Sequence, residues 1–123
     1  MSRWINLDAY DSYFAYLQEC NRQDIVSDLT TPTDLTNTLS HTTMEAGDYS
    51  IESGNTGGKK LVIGEKIGVD VTNDGTTRYA VLSKDGEIRL VTPCNEREVS
   101  ATLGDRINMG EYHLDVSAPE AVV

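Results

Sequence analysis

The chain has 123 residues, 20 of them acidic and 10 basic, for a formal charge of -10 at pH 7. That length fits one domain with a real hydrophobic core, and the carboxylate excess repels the nucleic-acid backbones and anionic membranes that clustered Lys and Arg would attract. No stretch approaches the roughly 20 apolar residues of a membrane helix, and Met1-Ser-Arg-Trp-Ile-Asn6 lacks the apolar run of a signal peptide, so the expectation is a cytoplasmically made chain with no membrane partner and no direct nucleic-acid partner.

In chain order, the first anomaly is Trp4-Ile5, large apolar residues in a terminal arm, where side chains of that size are kept when they dock on something. Their dock is either the chain's own core or a neighbouring subunit. Next, Tyr10, Tyr13, Phe14, Leu17 and Cys20 fall at i, i+3, i+4, i+7 and i+10, the stripe of one amphipathic helix over 8–20, with Asp8 as its N-cap and Tyr10 and Tyr13 read as packing residues. Residues 21–44 are polar and threonine-rich, broken by Pro32, and read as an extended connection with a short turn of helix at most.

From Met44 onward, short apolar runs alternate with turn signals at Gly47-Asp48, Ser53 to Gly58, Asn73-Asp74-Gly75, Lys84-Asp85-Gly86, Gly104-Asp105 and Gly110. The rhythm predicts antiparallel strands joined by hairpins near 48–52, 60–64, 67–73, 77–83, 87–92, 98–103 and 111–117. The fold class is therefore mainly β, a small antiparallel sandwich or barrel with one N-terminal helix. It is organised as a single domain over 1–123: arm, helix and connection to 44, a β-domain over 45–118, and a tail over 119–123. The clearest hairpin joins 77–83 to 87–92, with Ile88 and Leu90 on one face of its second strand and Glu87, Arg89 and Val91 on the other. Near the C-terminus, Tyr112, Leu114 and Val116 alternate with His113, Asp115 and Ser117.

Each motif that could carry chemistry is incomplete. Gly58-Lys59 resembles the end of a phosphate loop, but Ser53 stands where the first glycine belongs and Lys60 where a magnesium-binding hydroxyl is needed. The following Leu61-Val62-Ile63 reads as a strand, not the helix that would face the anion, so Ser53 to Gly58 is a hairpin tip. Asp70, Thr72 and Asp74 open like a calcium loop, yet Val81 occupies the position of the bidentate glutamate, and a hairpin fits better. His113 and Asp115 share a strand face as half of a base-and-orienter pair, without a nucleophile elbow; solvation on an outward face is the simpler reading. Cys20 and Cys94 match no disulfide framework or zinc spacing and read as buried reduced thiols. No catalytic residue, cofactor or metal ligand is expected, and six tyrosines with one tryptophan leave a sugar-binding face open.

Gly58-Lys-Lys-Leu-Val-Ile63, Gly68-Val-Asp-Val-Thr72, Gly75-Thr-Thr-Arg-Tyr-Ala-Val-Leu82 and Ile88-Arg-Leu-Val-Thr-Pro-Cys94, closed by the acidic strand Glu111 to Val116, resemble small β-rich structural proteins of tailed bacteriophages. The resemblance covers about residues 45–118, and the N-terminal helix is similar too; Lys84-Asp85 and Arg78 depart from the pattern. It implies a virion component without catalysis, first a capsid decoration (cement) protein, next a tail, neck or fibre-associated module. Its partners would be copies of itself in a homo-oligomer and other virion proteins, the major capsid protein or tail components, met through Arg3, Trp4, Ile5 and Tyr16. A glycan or host-receptor binding module is the alternative of a different class.

Overall fold

The computed structural model describes residues 7–29, 35–53 and 58–116. Arg3, Trp4, Ile5 and the tail 119–123 lie outside the described residues. The chain is mainly β, with antiparallel sheets and one helix at its N-terminal end. The sheets do not close into a barrel, which leaves the small sandwich of the two architectures expected from the turn rhythm.

The helix α1 spans Leu7–Gln18, so Asp8 lies inside it rather than at its cap. Phe14, Leu17 and Cys20 are buried along one face. Tyr13, expected in that stripe, is 43% exposed: one residue from Phe14 and four from Leu17, it lies on the flank of the buried face. The strands are β1 (Arg22–Val26), β2 (Thr38–Thr43), β3 (Tyr49–Ser53), β4 (Lys59–Ile63), β5 (Lys66–Asp70), β6 (Gly75–Thr76), β7 (Tyr79–Lys84), β8 (Glu87–Pro93), β9 (Glu98–Val99), β10 (Arg106–Met109) and β11 (Tyr112–Val116).

Four strands form one sheet in the order β2-β1-β7-β8, three form another as β11-β4-β3, and β5-β10 and β6-β9 are two-stranded. Val71, just past β5, bridges antiparallel to Ser40 of β2, and the Ser40 hydroxyl donates to the Asp70 carbonyl at 2.9 Å. The β5-β10 ribbon thereby continues the four-stranded sheet around its β2 edge. One core gathers Phe14, Leu17, Cys20, Met44, Tyr49, Leu61, Ile63 and Leu82 under the helix, while a second holds Ile25, Leu39, Val71, Ala80, Val99, Ile107 and Met109. Between them sits the buried amide of Gln23, which accepts from the Tyr112 hydroxyl at 2.8 Å and donates to the Met109 thioether at 3.1 Å.

The β7-β8 hairpin closes on Lys84 opposite Glu87, leaving Asp85 and Gly86 as a two-residue turn with φ of 49° and 87°. Positive φ at both central residues matches the right-handed strand twist, and Asp-Gly supplies it at little steric cost. The β3-β4 hairpin stands as expected, and Tyr112 and Leu114 pack on the core while His113 and Asp115 face out.

Several expectations need correction. Residues 22–26 and 38–43, expected within a connection, are β1 and β2, and β1 lies between β2 and β7 in the sheet. No hairpin turns at Asn73-Asp74-Gly75, because β5 pairs with β10 and β7 with β1 and β8. That segment is tied elsewhere: Asn73 Nδ2 donates to the Thr38 carbonyl at 2.9 Å, and Asp74 Oδ1 accepts from the Ala101 amide at 2.8 Å. Gly75 approaches the second core so closely that a Cβ would lie 2.8 Å from Leu39 Cδ2. The strand expected over 98–103 stops at Val99, since Asp105 Oδ2 accepts from the Ser100 amide and the Asp105 amide returns to the Ser100 carbonyl, closing a turn before β10.

Finally, the register shifts by one between Leu82 and Ser83, so that Leu82 faces Leu90 and Ser83 faces Ile88. Paired residues share a face and successive residues do not. Ile88 and Leu90 therefore lie on opposite faces, contrary to simple alternation, with Arg89 the extra residue of a bulge.

Candidate interaction surface

The bulge sends Arg89 to the helix. Its guanidinium lies 3.8 Å from the centroid of the Tyr16 ring, Nη1 donates to the Tyr16 carbonyl and to Glu19 Oε1 at 2.7 Å each, and Nε donates to Glu87 Oε1 at 3.0 Å. The Tyr16 hydroxyl donates to the same Glu87 oxygen at 2.7 Å. A cation thus satisfies a last-turn carbonyl, where the helix dipole favours it, and stacks on the adjacent aromatic face. Hydrogen bonds from Tyr16 and Arg89 hold the Glu87 carboxyl below the usual carboxylate range. Its contribution is in place above the ordinary carboxylate pKa and is lost as the pH falls through the lowered one. Tyr16, expected at a subunit or shell contact, is 41% exposed, with both its ring and its hydroxyl engaged within the chain.

The residues singled out for chemistry are scattered. His113 Nε2 and Asp115 Oδ2 meet at 3.0 Å on the outer face of β11, each about half exposed. Asp70 pairs with Arg106 at 3.1 Å while Asp74 holds the Ala101 amide, so the calcium-like ligands point to different partners. Among the described residues, no three His, Cys, Asp or Glu side chains are grouped to hold a metal. Lys59 and Lys60 lie in β4, beside Ser53 and Glu52 of β3.

An open groove of about 410 Å³ runs between β8, through Thr92 and Pro93, and β10, through Ile107 to Met109, with Ile25 and Ala80 in its lining. Cys94, Arg97, Glu111 and Tyr112 also line it; neither histidine does. Two of the groove's polar side chains serve the fold: Thr77 Oγ1 donates to the Asn95 carbonyl at 2.7 Å and accepts from the Arg97 amide at 2.9 Å, and Arg97 Nη2 donates to the Arg106 carbonyl.

Both cysteines are free. Burial pushes the Cys20 thiol up to about 11, while Cys94 is half-buried, not buried as expected, and is also raised by burial against a hydrogen bond with Thr77. A thiol-disulfide reagent at mildly alkaline pH is expected to label Cys94 in the native protein and Cys20 only on unfolding, because a buried protonated thiol is a poor nucleophile. Equal labelling of both in the native state would contradict the packing of Cys20 against Leu17 and Tyr49.

The outer edge of β3 is a surface with unmet contact potential. After buried Tyr49, residues Ser50, Ile51, Glu52 and Ser53 are all exposed, and among the described residues no strand pairs with that edge. Ile51 is 45% exposed. It shares a cross-strand row with Leu61 and Leu114, so the apolar row of the sheet runs to the edge and ends in water. The pattern Tyr-Ser-Ile-Glu-Ser was legible as a strand; its edge position was not, because it depends on β11 taking the far side of β4. Compared with family models, curated proteins and solved structures, the chain matches none.

Proposed function

We propose that this chain is a phage virion structural protein, a capsid decoration or cement protein that acts through self-association and contacts with the shell. The observation that carries the proposal is the β3 edge, which no strand among the described residues covers, with its half-exposed isoleucine. An unpaired row of backbone donors and acceptors beside an apolar side chain is a template for a second chain, and a chain of formal charge -10 directs that contact toward protein rather than phosphate backbone. The resemblance over 45–118 gives the class of assembly. In this reading the protein is made in the host cytoplasm, resides in the virion, needs no cofactor and performs no catalysis.

Mass spectrometry of purified particles, with copy number as the readout, tests it. Hundreds of copies per particle are expected for a shell protein. A few to a few dozen would move the chain to the tail or neck, and absence from particles would overturn the virion reading.

A further inference from the structure

We infer that β3 pairs antiparallel with β3 of a second copy across a two-fold axis through Ile51, joining two three-stranded sheets into one. The inference rests on the assembly reading for its purpose and on strand geometry for its form.

The outer edges of β2, β8, β10 and β11 carry features that discourage pairing. The outer edge of β2 is occupied by the Ser40–Val71 bridge and by the Thr72 and Asn73 amides, which donate to the Leu39 carbonyl. β8 is bulged at Arg89 and ends in Pro93, β10 is four residues long with a broken register, and β11 presents Asp115 in contact with His113 on its outer face. β3 has none of these: five residues in unbroken register with β4, no proline, no bulge and one charge. Strand edges without such features are the ones that pair.

The choice of a second copy follows from residue order. Antiparallel pairing about Ile51 sets Ile51 opposite Ile51 of the second copy, each Ser50 opposite a Glu52, and each Tyr49 opposite a Ser53. The row Leu114–Leu61–Ile51 then continues through the junction into the matching row of the second copy, and Ile51 loses its exposure to water. Charge is accommodated in the neighbouring row. Glu52 lies beside Lys60, whose other neighbour is Asp115, so signs alternate along the sheet and Glu52 meets a neutral serine at the junction. No like charges stand directly opposite each other, although the chain as a whole is strongly acidic. The contact is isologous, so it closes at a dimer.

Sedimentation velocity of the full chain across the micromolar range tests the pairing, together with cross-linking in a Cys94→Ser background. The wild-type protein is expected to dimerise, and Ile51→Lys to weaken the dimer more than about tenfold by opposing two ammonium groups where two isoleucines met. Ile51→Cys is expected to give a covalent dimer under mild oxidation, since residue 51 stands directly opposite its own copy, where cross-strand side chains come closest, while Glu52→Cys, opposite a serine, is not. A wild-type monomer throughout the range, an undiminished dimer in Ile51→Lys, or equal cross-linking of the two cysteine variants would each overturn it. Particles lacking the protein would remove the virion reading and leave the pairing standing; a monomeric chain found in particles would do the reverse.

Discussion

Replacing Phe14 by alanine is expected to lower the free energy of unfolding by about 3–5 kcal/mol. The ring is completely buried in the core beneath the helix, among Leu17, Tyr49, Leu61, Ile63 and Leu82. Two terms add: the transfer free energy of the lost ring, and the cavity that surrounding strands cannot collapse to fill. The effect is amplified by location, because a helix of 12 residues is marginal in water by itself and holds its shape mainly through the face it buries. A domain of this size has a total stability of about 5–15 kcal/mol, so the variant gives up a large share of it. Urea unfolding followed by far-UV circular dichroism measures the loss as a lower midpoint. Phe14→Leu, which keeps much of the volume, is expected to fall between the two. A Phe14→Ala midpoint within error of wild type would mean that the helix does not dock as described.

What could be read from the chain and what could not divide along a physical line. The β7-β8 hairpin announced itself because Lys84-Asp85-Gly86 carries its own turn chemistry and the flanking residues are apolar. The β3-β4 hairpin and the alternation in β11 were legible for the same local reason. β1 was hidden because its buried positions include Gln23 and Asp24, whose polarity is satisfied by particular side chains, the sequence-distant Tyr112 and Met109 for the one and Arg22 with Thr38 for the other. A hydrophobic pattern cannot register burial that depends on such partners. The bulge at Arg89 was invisible too, since one extra residue changes no composition yet moves Leu90 to the face opposite Ile88 and aims a guanidinium at the helix. The candidate surface shows the same limit. Ile51 is one apolar residue in a polar strand, and only the order β11-β4-β3, fixed by pairings of long sequence separation, leaves it at an edge. The terminal arm, where Arg3, Trp4 and Ile5 were expected to meet a subunit or shell, lies outside the described residues.

The buried carboxylate of Asp24 makes the second large prediction. Its side chain is fully buried, yet it receives both arms of Arg22, Nε to Oδ1 at 2.7 Å and Nη2 to Oδ2 at 2.8 Å, with the Thr38 hydroxyl donating to Oδ2 at 2.9 Å. Arg22 and Asp24 are two residues apart on β1, so the strand's period of two puts them on one face without bending the chain. Arg22→Ala leaves that carboxylate in the interior with the Thr38 hydroxyl as its remaining described partner. Breaking a fully buried pair from one side costs about 3–5 kcal/mol. The Arg22 side chain is 43% exposed, so water already screens its half of the pair, and the expected loss is reduced to about 2 kcal/mol. Asp24→Asn should cost less than Arg22→Ala: it removes the buried charge, keeps an acceptor for Thr38 and releases Arg22 toward solvent. The order is the diagnostic result, because a pair whose worth lay only in mutual attraction would suffer equally from either change, whereas a stranded interior charge makes the loss of arginine the worse of the two. Equal midpoints for the two variants in urea unfolding would show that water reaches Asp24 once Arg22 is gone, and that β1 is not sealed on the face it shares with Thr38.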